Sequence, residues 1–286
     1  METIELHHKA NTFKACLFEN KSAKASVLIC PAMGITAKYY VHLATWISEQ
    51  GYSVMVLDYQ GTGLSGSKRE KNNNVTLQDW IKNIEITGQW LKMKNPKTTL
   101  IFVGHSIGSQ LFGFIEEIQL FDKAIFIASS TGYWKDGHSP QKWINYFLLN
   151  IILPLSNLIW GYTNAKFFGQ GENYPKKVAL KWRKWCINKD YLKIELNDEQ
   201  KNNFNHFDGK ITSLWFSDDN VANEITAPKL VALYKKAVVE LVEIKPEDCK
   251  TNKIGHSGFL SRKFKETLWR KFLDAHLRSV SSQTEK

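Results

Sequence analysis

Short β-prone runs alternate with longer helical patterns along most of the chain, and this alternation constrains the fold more than any other sequence feature. The runs cover residues 25–30, 53–58, 99–103, 124–128, 211–216 and 238–244, and several of them are nearly continuously apolar. Such runs are typical of strands that are covered on both faces of a parallel sheet. Helical patterns lie at residues 42–50, 77–93, 109–118, 228–236 and 264–277. We predict an α/β fold with a mainly parallel central sheet flanked by helices, and an edge hairpin at residues 4–18.

One interval breaks the alternation. About eighty residues separate the predicted strand at 124–128 from the next one at 211–216, far more than an ordinary connection needs. The interval contains an apolar stretch followed by a basic and aromatic stretch. We therefore predict a core in two parts, residues 1–132 and 208–286, with a helical lid inserted at residues 133–207.

The apolar stretch at residues 143–162 is long enough to suggest a membrane span. Polar residues interrupt it, among them Asn145 and Asn150, and Pro154 lies near its middle. Two short helices that meet near Pro154 are favoured over a transmembrane helix. As a lid, their apolar faces would line a pocket for a lipid-like group, and transient contact with a membrane surface stays open as an alternative.

The sequence Gly-His-Ser-Ile-Gly at residues 104–108 carries the strongest chemical signal in the chain. It follows the predicted strand at 99–103 and precedes an apolar helical pattern, the context in which a G-x-S-x-G motif indicates a nucleophile. A serine at such a sharp turn projects above the sheet, and glycines flank it because a Cβ there would collide with neighbouring chain. We predict that Ser106 is a catalytic nucleophile.

A serine hydroxyl needs a base to take its proton and an acid to orient that base. Two adjacent carboxylates, Asp218 and Asp219, follow the predicted strand at 211–216. Asp218 is favoured as the acid because it comes first after the strand, and Asp219 stays open as the alternative. His256 lies between glycines in a loop before the last helix and is the predicted base. The other seven histidines fit that role less well, and His105 is expected to pack beside the serine.

Two main-chain N–H groups are expected to stabilise the negative oxygen of a tetrahedral intermediate. One belongs to Ile107, which immediately follows the predicted nucleophile. The second is expected from the loop after the strand at 25–30, which reads Pro-Ala-Met-Gly at residues 31–34. We assign it to the amide of Met33.

These motifs together resemble the α/β-hydrolase superfamily over essentially the whole chain. The sequence Asp-Tyr-Gln-Gly-Thr-Gly-Leu-Ser at residues 58–65 is similar to the Asp-x-x-Gly-x-Gly-x-Ser turn of that superfamily. Residues 31–34, 132–134, 161–162 and 255–259 resemble, more narrowly, a bacterial group of α/β hydrolases described only as serine-hydrolase-like. The resemblance implies the α/β-hydrolase fold and a Ser-His-Asp triad. One departure is that the usual His-Gly of the oxyanion loop is replaced here by Pro-Ala.

Composition narrows the set of partners. The chain has 38 Lys and Arg against 28 Asp and Glu, a net charge of +10, yet no basic block is dense enough for a nucleic-acid arm. The four cysteines are far apart and lack metal-ligand spacing, and no metal or organic cofactor is implied. The first 14 residues contain no recognisable signal peptide, so a cytoplasmic location is expected. The sequence gives no indication of oligomeric state.

Taken together, the features predict a serine hydrolase that cleaves carboxylic esters, or thioesters, through an acyl-enzyme intermediate. The substrate would be a small molecule with an apolar acyl or alkyl group, since the lid is apolar and aromatic. Four lid aromatics are candidates for the pocket, although each could instead pack within the lid: Trp134, Trp143, Phe147 and Trp160. Three alternatives stay open: a peptidase or amidase with the same triad, a non-catalytic ligand receptor that retains the fold, and a protein that binds lipid surfaces through the insertion.

Overall fold

A sheet of eight strands lies at the centre of the protein, whose computed structural model describes residues 1–66, 70–169, 171–197 and 203–278. The strands are β1 (Glu2–His8), β2 (Asn11–Phe18), β3 (Ala25–Cys30), β4 (Tyr52–Asp58), β5 (Thr99–His105), β6 (Lys123–Ile127), β7 (Lys210–Phe216) and β8 (Val238–Ile244). Their order across the sheet is β1-β2-β4-β3-β5-β6-β7-β8. β1 and β2 form an antiparallel hairpin at one edge, β2 is also antiparallel to β4, and the other neighbours are parallel. The predicted α/β architecture and edge hairpin are confirmed.

The central strands are buried on both faces, as their apolar sequences predict. In β3 all six residues are buried, and their side chains alternate between two hydrophobic clusters. Val27 and Ile29 belong to one cluster, while Leu28 and Cys30 belong to the other. Because the parallel strands all end at the same edge of the sheet, the loops that follow them meet there.

Helices lie on both faces of this sheet and in the insertion between β6 and β7. They are α1 (Val41–Glu49), α2 (Leu77–Lys94), α3 (Ile107–Gln110), α4 (Gln141–Phe147), α5 (Leu153–Ile159), α6 (Lys176–Cys186), α7 (Thr226–Val231), α8 (Gly255–Gly258) and α9 (Asp274–Arg278). α1 shares one hydrophobic cluster with the π-helical segment Lys265–Leu273 that leads into α9, and in it the rings of Trp46 and Trp269 lie 5.6 Å apart. α2 packs on the other face and begins at a capping box formed by Thr76 and Asp79.

One predicted helix is much shorter in the structure. The pattern at 109–118 predicts a helix over its whole length, but α3 ends at Gln110 and a 3₁₀ turn follows at Phe112–Phe114. Gly113 favours this change because glycine is a poor helix former. It also lets the chain pack tightly, since a Cβ at this position would lie 2.2 Å from the ring of Phe204.

The insertion between β6 and β7 contains a helical stretch that does not break at its proline. α4 continues through the π-helical segment Leu148–Ile152 directly into α5. Pro154 has no N–H to donate to the carbonyl of Leu149, five residues earlier, and Arg183 of α6 donates to that carbonyl instead at 2.7 Å. The expectation of two helices meeting near Pro154 is therefore wrong, because the wider π turn and Arg183 accommodate the proline.

The same stretch bears on the transmembrane alternative. Across the described ranges of the chain, no helix has both the length and the apolar character that crossing a bilayer requires.

Candidate active site

Ser106 lies at a sharp turn between β5 and α3. Its backbone has φ 53° and ψ −117°, a conformation that is strained for a residue with a side chain. The flanking glycines allow the neighbouring chain to pack closely enough to hold this turn. A Cβ on Gly104 would lie 2.6 Å from the Ser109 nitrogen, and one on Gly108 would lie 2.2 Å from the Cys30 carbonyl oxygen. Tight packing on β3 thus keeps the Ser106 side chain above the sheet edge.

Three predicted candidates meet at this turn through two hydrogen bonds. The Ser106 hydroxyl lies 3.0 Å from Nε2 of His256, which can accept its proton. Nδ1 of His256 lies 2.8 Å from Oδ2 of Asp219, the carboxylate that can accept its N–H. The Asp219 side chain is fully buried, whereas 26% of the His256 side chain is exposed. The buried carboxylate therefore fixes one ring nitrogen and leaves the other facing the serine.

Asp218, the carboxylate favoured from the sequence, lies elsewhere. It accepts the N–H of Ile254 at 2.8 Å and that of Gly255 at 3.0 and 3.1 Å, so it anchors the loop that carries His256. The tight turn after β7, in which the Asp219 N–H bonds to the Phe216 carbonyl, aims the second carboxylate at the imidazole. The structure corrects the sequence-based preference: Asp219, kept as the alternative, occupies the position beside His256.

A buried hydrogen-bond chain joins the oxyanion loop to the histidine loop. The Ala32 N–H donates to the Tyr40 hydroxyl at 2.9 Å, and that hydroxyl bonds to His105 Nδ1 at 2.7 Å. His105 Nε2 lies 3.0 Å from the carbonyl oxygen of His256. Burial lowers the pKa of His105 well below its ordinary value, which keeps the ring neutral, with Nε2–H as its donor. The sequence predicts only a packing role for His105. In the structure its ring also links Tyr40 to the His256 carbonyl.

The two amides assigned to the oxyanion hole are free of internal partners. Among the described residues, neither the Met33 N–H nor the Ile107 N–H donates a hydrogen bond within the chain. The neighbouring Ala32 N–H is instead taken up by Tyr40. Both predicted donors thus stay available to a ligand beside Ser106, and the Pro-Ala variation at residues 31–32 does not remove them.

A second buried carboxylate, that of Asp58 at the end of β4, accepts two main-chain N–H groups near the site. Asp58 accepts the N–H of Ala37 at 2.7 Å and that of Leu64 at 2.9 Å. Burial raises the pKa of Asp58 to about 6. Gly63 has φ 49°, and a Cβ there would lie 2.3 Å from Asp58 Oδ2, which explains the glycine at this place in the motif. The turn at residues 58–65 is therefore a support for the site.

A cavity of about 290 Å³ opens beside the serine. Ser106 and His256 lie in its wall, and the helical stretch of the insertion forms its roof through six residues: Asn145, Leu148, Leu149, Ile152, Leu153 and Ser156. None of the described residues that line it is Asp, Glu, Lys or Arg. The part of the chain that the structure describes also holds no cluster of His, Cys, Asp or Glu suited to a metal ion.

The four aromatic pocket candidates separate into two groups. Trp134 lines the cavity, whereas Trp143, Phe147 and Trp160 do not. Trp143 and Phe147 project outward from α4 and are more than half exposed, while Trp160 packs against two phenylalanine rings of the following loop. The sequence could not separate inward from outward positions because both sides of this helix are apolar. It also missed four aromatics that line the cavity from outside this helix: Tyr133, Phe168, Tyr174 and Trp182.

Comparison with known proteins places this geometry in a family. Residues 21–180, more than half of the chain, match the family model described as "Serine aminopeptidase, S33". A curated protein, "Probable aminopeptidase YbaC" of Bacillus subtilis (strain 168), is 36% identical over 81 residues, which are 28% of this chain. The match spans only 24% of that relative's length.

Two solved structures share the fold. A soluble variant of monoglyceride lipase from Saccharomyces cerevisiae superposes with a TM-score of 0.67 at 17% identity, covering 96% of this chain and 94% of the other. An esterase of Pyrococcus furiosus has a TM-score of 0.63 at 15% identity, covering 96% and 90%. At these identities the likeness concerns the fold alone. The family match goes further: this chain belongs to the S33 serine aminopeptidase family and is a serine hydrolase of the α/β-hydrolase superfamily.

Proposed function

We propose that the protein is an esterase that cleaves carboxylic esters, or thioesters, of apolar acids through an acyl-enzyme on Ser106. The observation that carries this proposal is the cavity beside Ser106 and His256, whose described lining is largely apolar and contains no Asp, Glu, Lys or Arg. Such a lining suits a hydrocarbon group and offers nothing to a charged one. The residues 133–207 then act as the lid that shapes the pocket, between the two parts of the core.

The proposed reaction follows from the Ser106, His256 and Asp219 contacts. The Ser106 oxygen attacks the ester carbonyl while Nε2 of His256 takes its proton, and Asp219 stabilises the imidazolium through Nδ1–H. As the tetrahedral intermediate collapses, His256 returns the proton to the leaving alcohol. Water then attacks the acyl-enzyme carbonyl and gives a proton to His256. The bond between the acyl group and the Ser106 oxygen breaks to release the acid, and His256 returns its proton to that oxygen.

The developing oxyanion is assigned to two amides. The Met33 and Ile107 N–H groups have no internal acceptor in the described chain, so they are ready to donate to a negative oxygen. Donors that are already oriented do not have to reorganise during the reaction, which is the basis of their catalytic effect. The hydrogen bond from Ala32 to Tyr40 supports the loop that presents Met33.

An aminopeptidase is the second candidate, favoured by the family model and by the YbaC match. An aminopeptidase must bind the positively charged amino terminus of its substrate, which calls for a carboxylate or a set of carbonyl groups in the pocket. No carboxylate lines the cavity among the described residues. This absence favours the ester over the peptide, although the same triad serves both reactions.

The first test is labelling by a fluorophosphonate probe, with peptide mapping of the modified residue. We expect the wild-type protein to be labelled at Ser106, and we expect no labelling of Ser106→Ala or His256→Ala. A folded wild-type protein that resists the probe would contradict the hydrolase proposal and favour the non-catalytic ligand receptor. Circular dichroism of all three proteins controls for folding.

The second test separates the two candidate activities. We compare p-nitrophenyl esters with aminoacyl p-nitroanilides. The esters have acyl chains of about two to twelve carbons, the range of lengths that a pocket of a few hundred Å³ can distinguish. We expect higher kcat/KM for the esters, with an optimum at an intermediate chain length. Faster cleavage of the anilides that depends on a free amino group would overturn the esterase assignment while keeping the triad.

We also propose that the protein works in a reducing, cytoplasmic compartment. Its four cysteines are all buried and unpaired. Burial raises the pKa of each thiol, which keeps the thiols protonated and unreactive. Mass spectrometry of the protein from cells, with thiol alkylation before and after denaturation, should find four reduced cysteines.

A further inference from the structure

The helical stretch that roofs the cavity exposes a row of large apolar side chains to solvent. Leu158 is 78% exposed, and the others are between 43% and 57% exposed. We call these residues the outer face: Trp143, Phe147, Ile151, Leu155 and Leu158. A surface helix that faces only water carries polar side chains on its outer side. An exposed apolar patch of this kind therefore indicates an interaction site.

The opposite side of the same stretch is apolar as well. It lines the cavity, and residues 143–159 contain no charged side chain at all. The stretch is therefore apolar on its inner side, where a hydrocarbon ligand fits, and on its outer face, where the described chain provides no cover. An amphipathic lid needs only the inner apolar side, so the outer face requires an apolar partner of its own.

The charge of the insertion indicates what that partner is. Residues 133–207 contain eleven Lys and Arg but only six Asp and Glu, so they account for +5 of the net charge of +10. Two of these lysines border the outer face. Lys142 lies 5.8 Å from the ring centroid of Trp143, and Lys135 lies 5.4 Å from that of Trp134, which contacts Trp143.

We propose that the outer face docks on the surface of an anionic lipid bilayer. The apolar side chains would enter the boundary between headgroups and acyl chains, and the lysines would contact the anionic headgroups. Tryptophan and tyrosine beside lysine are typical of groups placed at that boundary. A second copy of this chain fits less well, because two insertions of +5 would repel each other across the contact.

The test is co-sedimentation with vesicles, using the Ser106→Ala variant throughout so that hydrolysis plays no part. Vesicles of phosphatidylcholine with about 30% phosphatidylglycerol are compared with pure phosphatidylcholine. We expect binding to the anionic vesicles in about 0.05 M salt and weaker binding in about 0.5 M salt, where charges are screened within a few ångströms. Lys135→Ala with Lys142→Ala should weaken binding by about 25-fold.

Leu158→Asp tests the apolar part of the docking surface and should weaken binding at least about tenfold. Met93→Asp is the matched control: it adds the same charge at a 73% exposed apolar position, at the far end of α2 beside the start of β5. Equal binding of the two Asp variants, or equal binding to both kinds of vesicle, would overturn the proposal. So would a dimer in light scattering without lipid that Leu158→Asp dissociates, because the outer face would then be a contact between copies.

Discussion

The site around Ser106 and the helical insertion differ in how their side chains are satisfied. At the site, nearly every polar side chain has an assigned partner: Asp218 holds the histidine loop, Asp219 holds the imidazole, and Asp58 holds two loop amides. In the insertion, large apolar side chains stand in solvent, and the roof touches the site mainly through its inner side.

This difference assigns separate tasks to the two regions. The chemistry depends on sub-ångström geometry, which only a close-packed, hydrogen-bonded frame can hold. The choice of ligand and of surroundings depends on area and charge, which a loosely covered helix can change without disturbing the frame. Substitutions in the first region should therefore alter rate or stability, and those in the second should alter preference and binding.

Breaking the triad should give the largest effect. Asp219→Asn should lower kcat/KM on the best ester by about 10⁴-fold, because an amide in place of the carboxylate favours the wrong imidazole tautomer. Asp218→Asn is the matched control and should cost about tenfold or less, since its amide oxygen still accepts from the loop. Ester kinetics at constant pH measure both. A larger loss for Asp218→Asn would return the acid role to that residue.

Crowding the turn should come next. Gly108→Ala should lower the free energy of unfolding by about 3 kcal/mol, because the new Cβ would lie 2.2 Å from the Cys30 carbonyl oxygen. Gly258→Ala, two residues after the histidine, meets nothing within 4 Å and lies in a helix. It should raise stability by about 0.5 kcal/mol. Urea unfolding measures the free energy of unfolding of both variants. Similar changes in the two would show that close packing at Gly108 does not exclude a Cβ there.

A smaller effect is expected from the buried imidazole. His105 keeps a pKa well below its ordinary 6.5 because of burial, so below pH 6.5 the unfolded chain binds a proton that the folded chain refuses. Its contribution to stability is present above that pH and should be lost as the pH falls, by about 1.4 kcal/mol per unit. His105→Gln can replace both hydrogen bonds without titrating.

The measurement is the difference between wild type and His105→Gln in unfolding free energy from pH 7.5 to 4.5 (about three units around the ordinary histidine value). Asp58 acts in the opposite direction, since its pKa is raised by burial to about 6 and its contribution is lost as the pH rises through that value. That contribution is common to both proteins and cancels in the difference. A difference that does not change with pH would mean that His105 takes up its proton as readily in the folded protein as in the unfolded chain.

The smallest effect should come from reshaping the pocket. Trp134→Ala removes a ring from the cavity wall and should shift the kcat/KM ratio of long to short acyl esters about fivefold towards long chains. Leu158→Ala on the outer face should leave that ratio unchanged. A shift of the same size in both variants would remove the distinction between the inner side and the outer face.

The sequence predicts the central sheet and the positions of Ser106 and His256 well, because these features depend on patterns among residues that are close together in the chain. Continuous apolar runs identify the parallel strands, and the glycines beside Ser106 identify a turn in which a Cβ has no room. His256 follows from its glycine-flanked place before the last helix. Each of these inferences depends on residues close together in the chain, so one sequence is enough.

The features that the sequence did not predict depend on which way a side chain faces, and the order of residues alone does not determine that. Asp218 and Asp219 are neighbours, and which of them faces His256 is decided by the turn after β7 rather than by residue type. Trp143 and Trp134 are both lid tryptophans, yet only Trp134 reaches the cavity. The helical pattern at 109–118 fails similarly, because Gly113 meets a ring that is distant in the chain.

The π-helical segment Leu148–Ile152 determines how the deletion of residues from this helical stretch would change the pocket lining. A π segment corresponds to one residue added to an α-helix, and each residue of an α-helix turns it by about 100°. Deleting one residue from Leu148–Ile152 would therefore restore a regular α-helix and leave α5 facing as it does now. A second deletion would have no wide turn to absorb it and would rotate α5 by about 100° relative to α4. Side chains that now face solvent would turn towards the ligand, and the pocket would acquire a new lining without a single substitution.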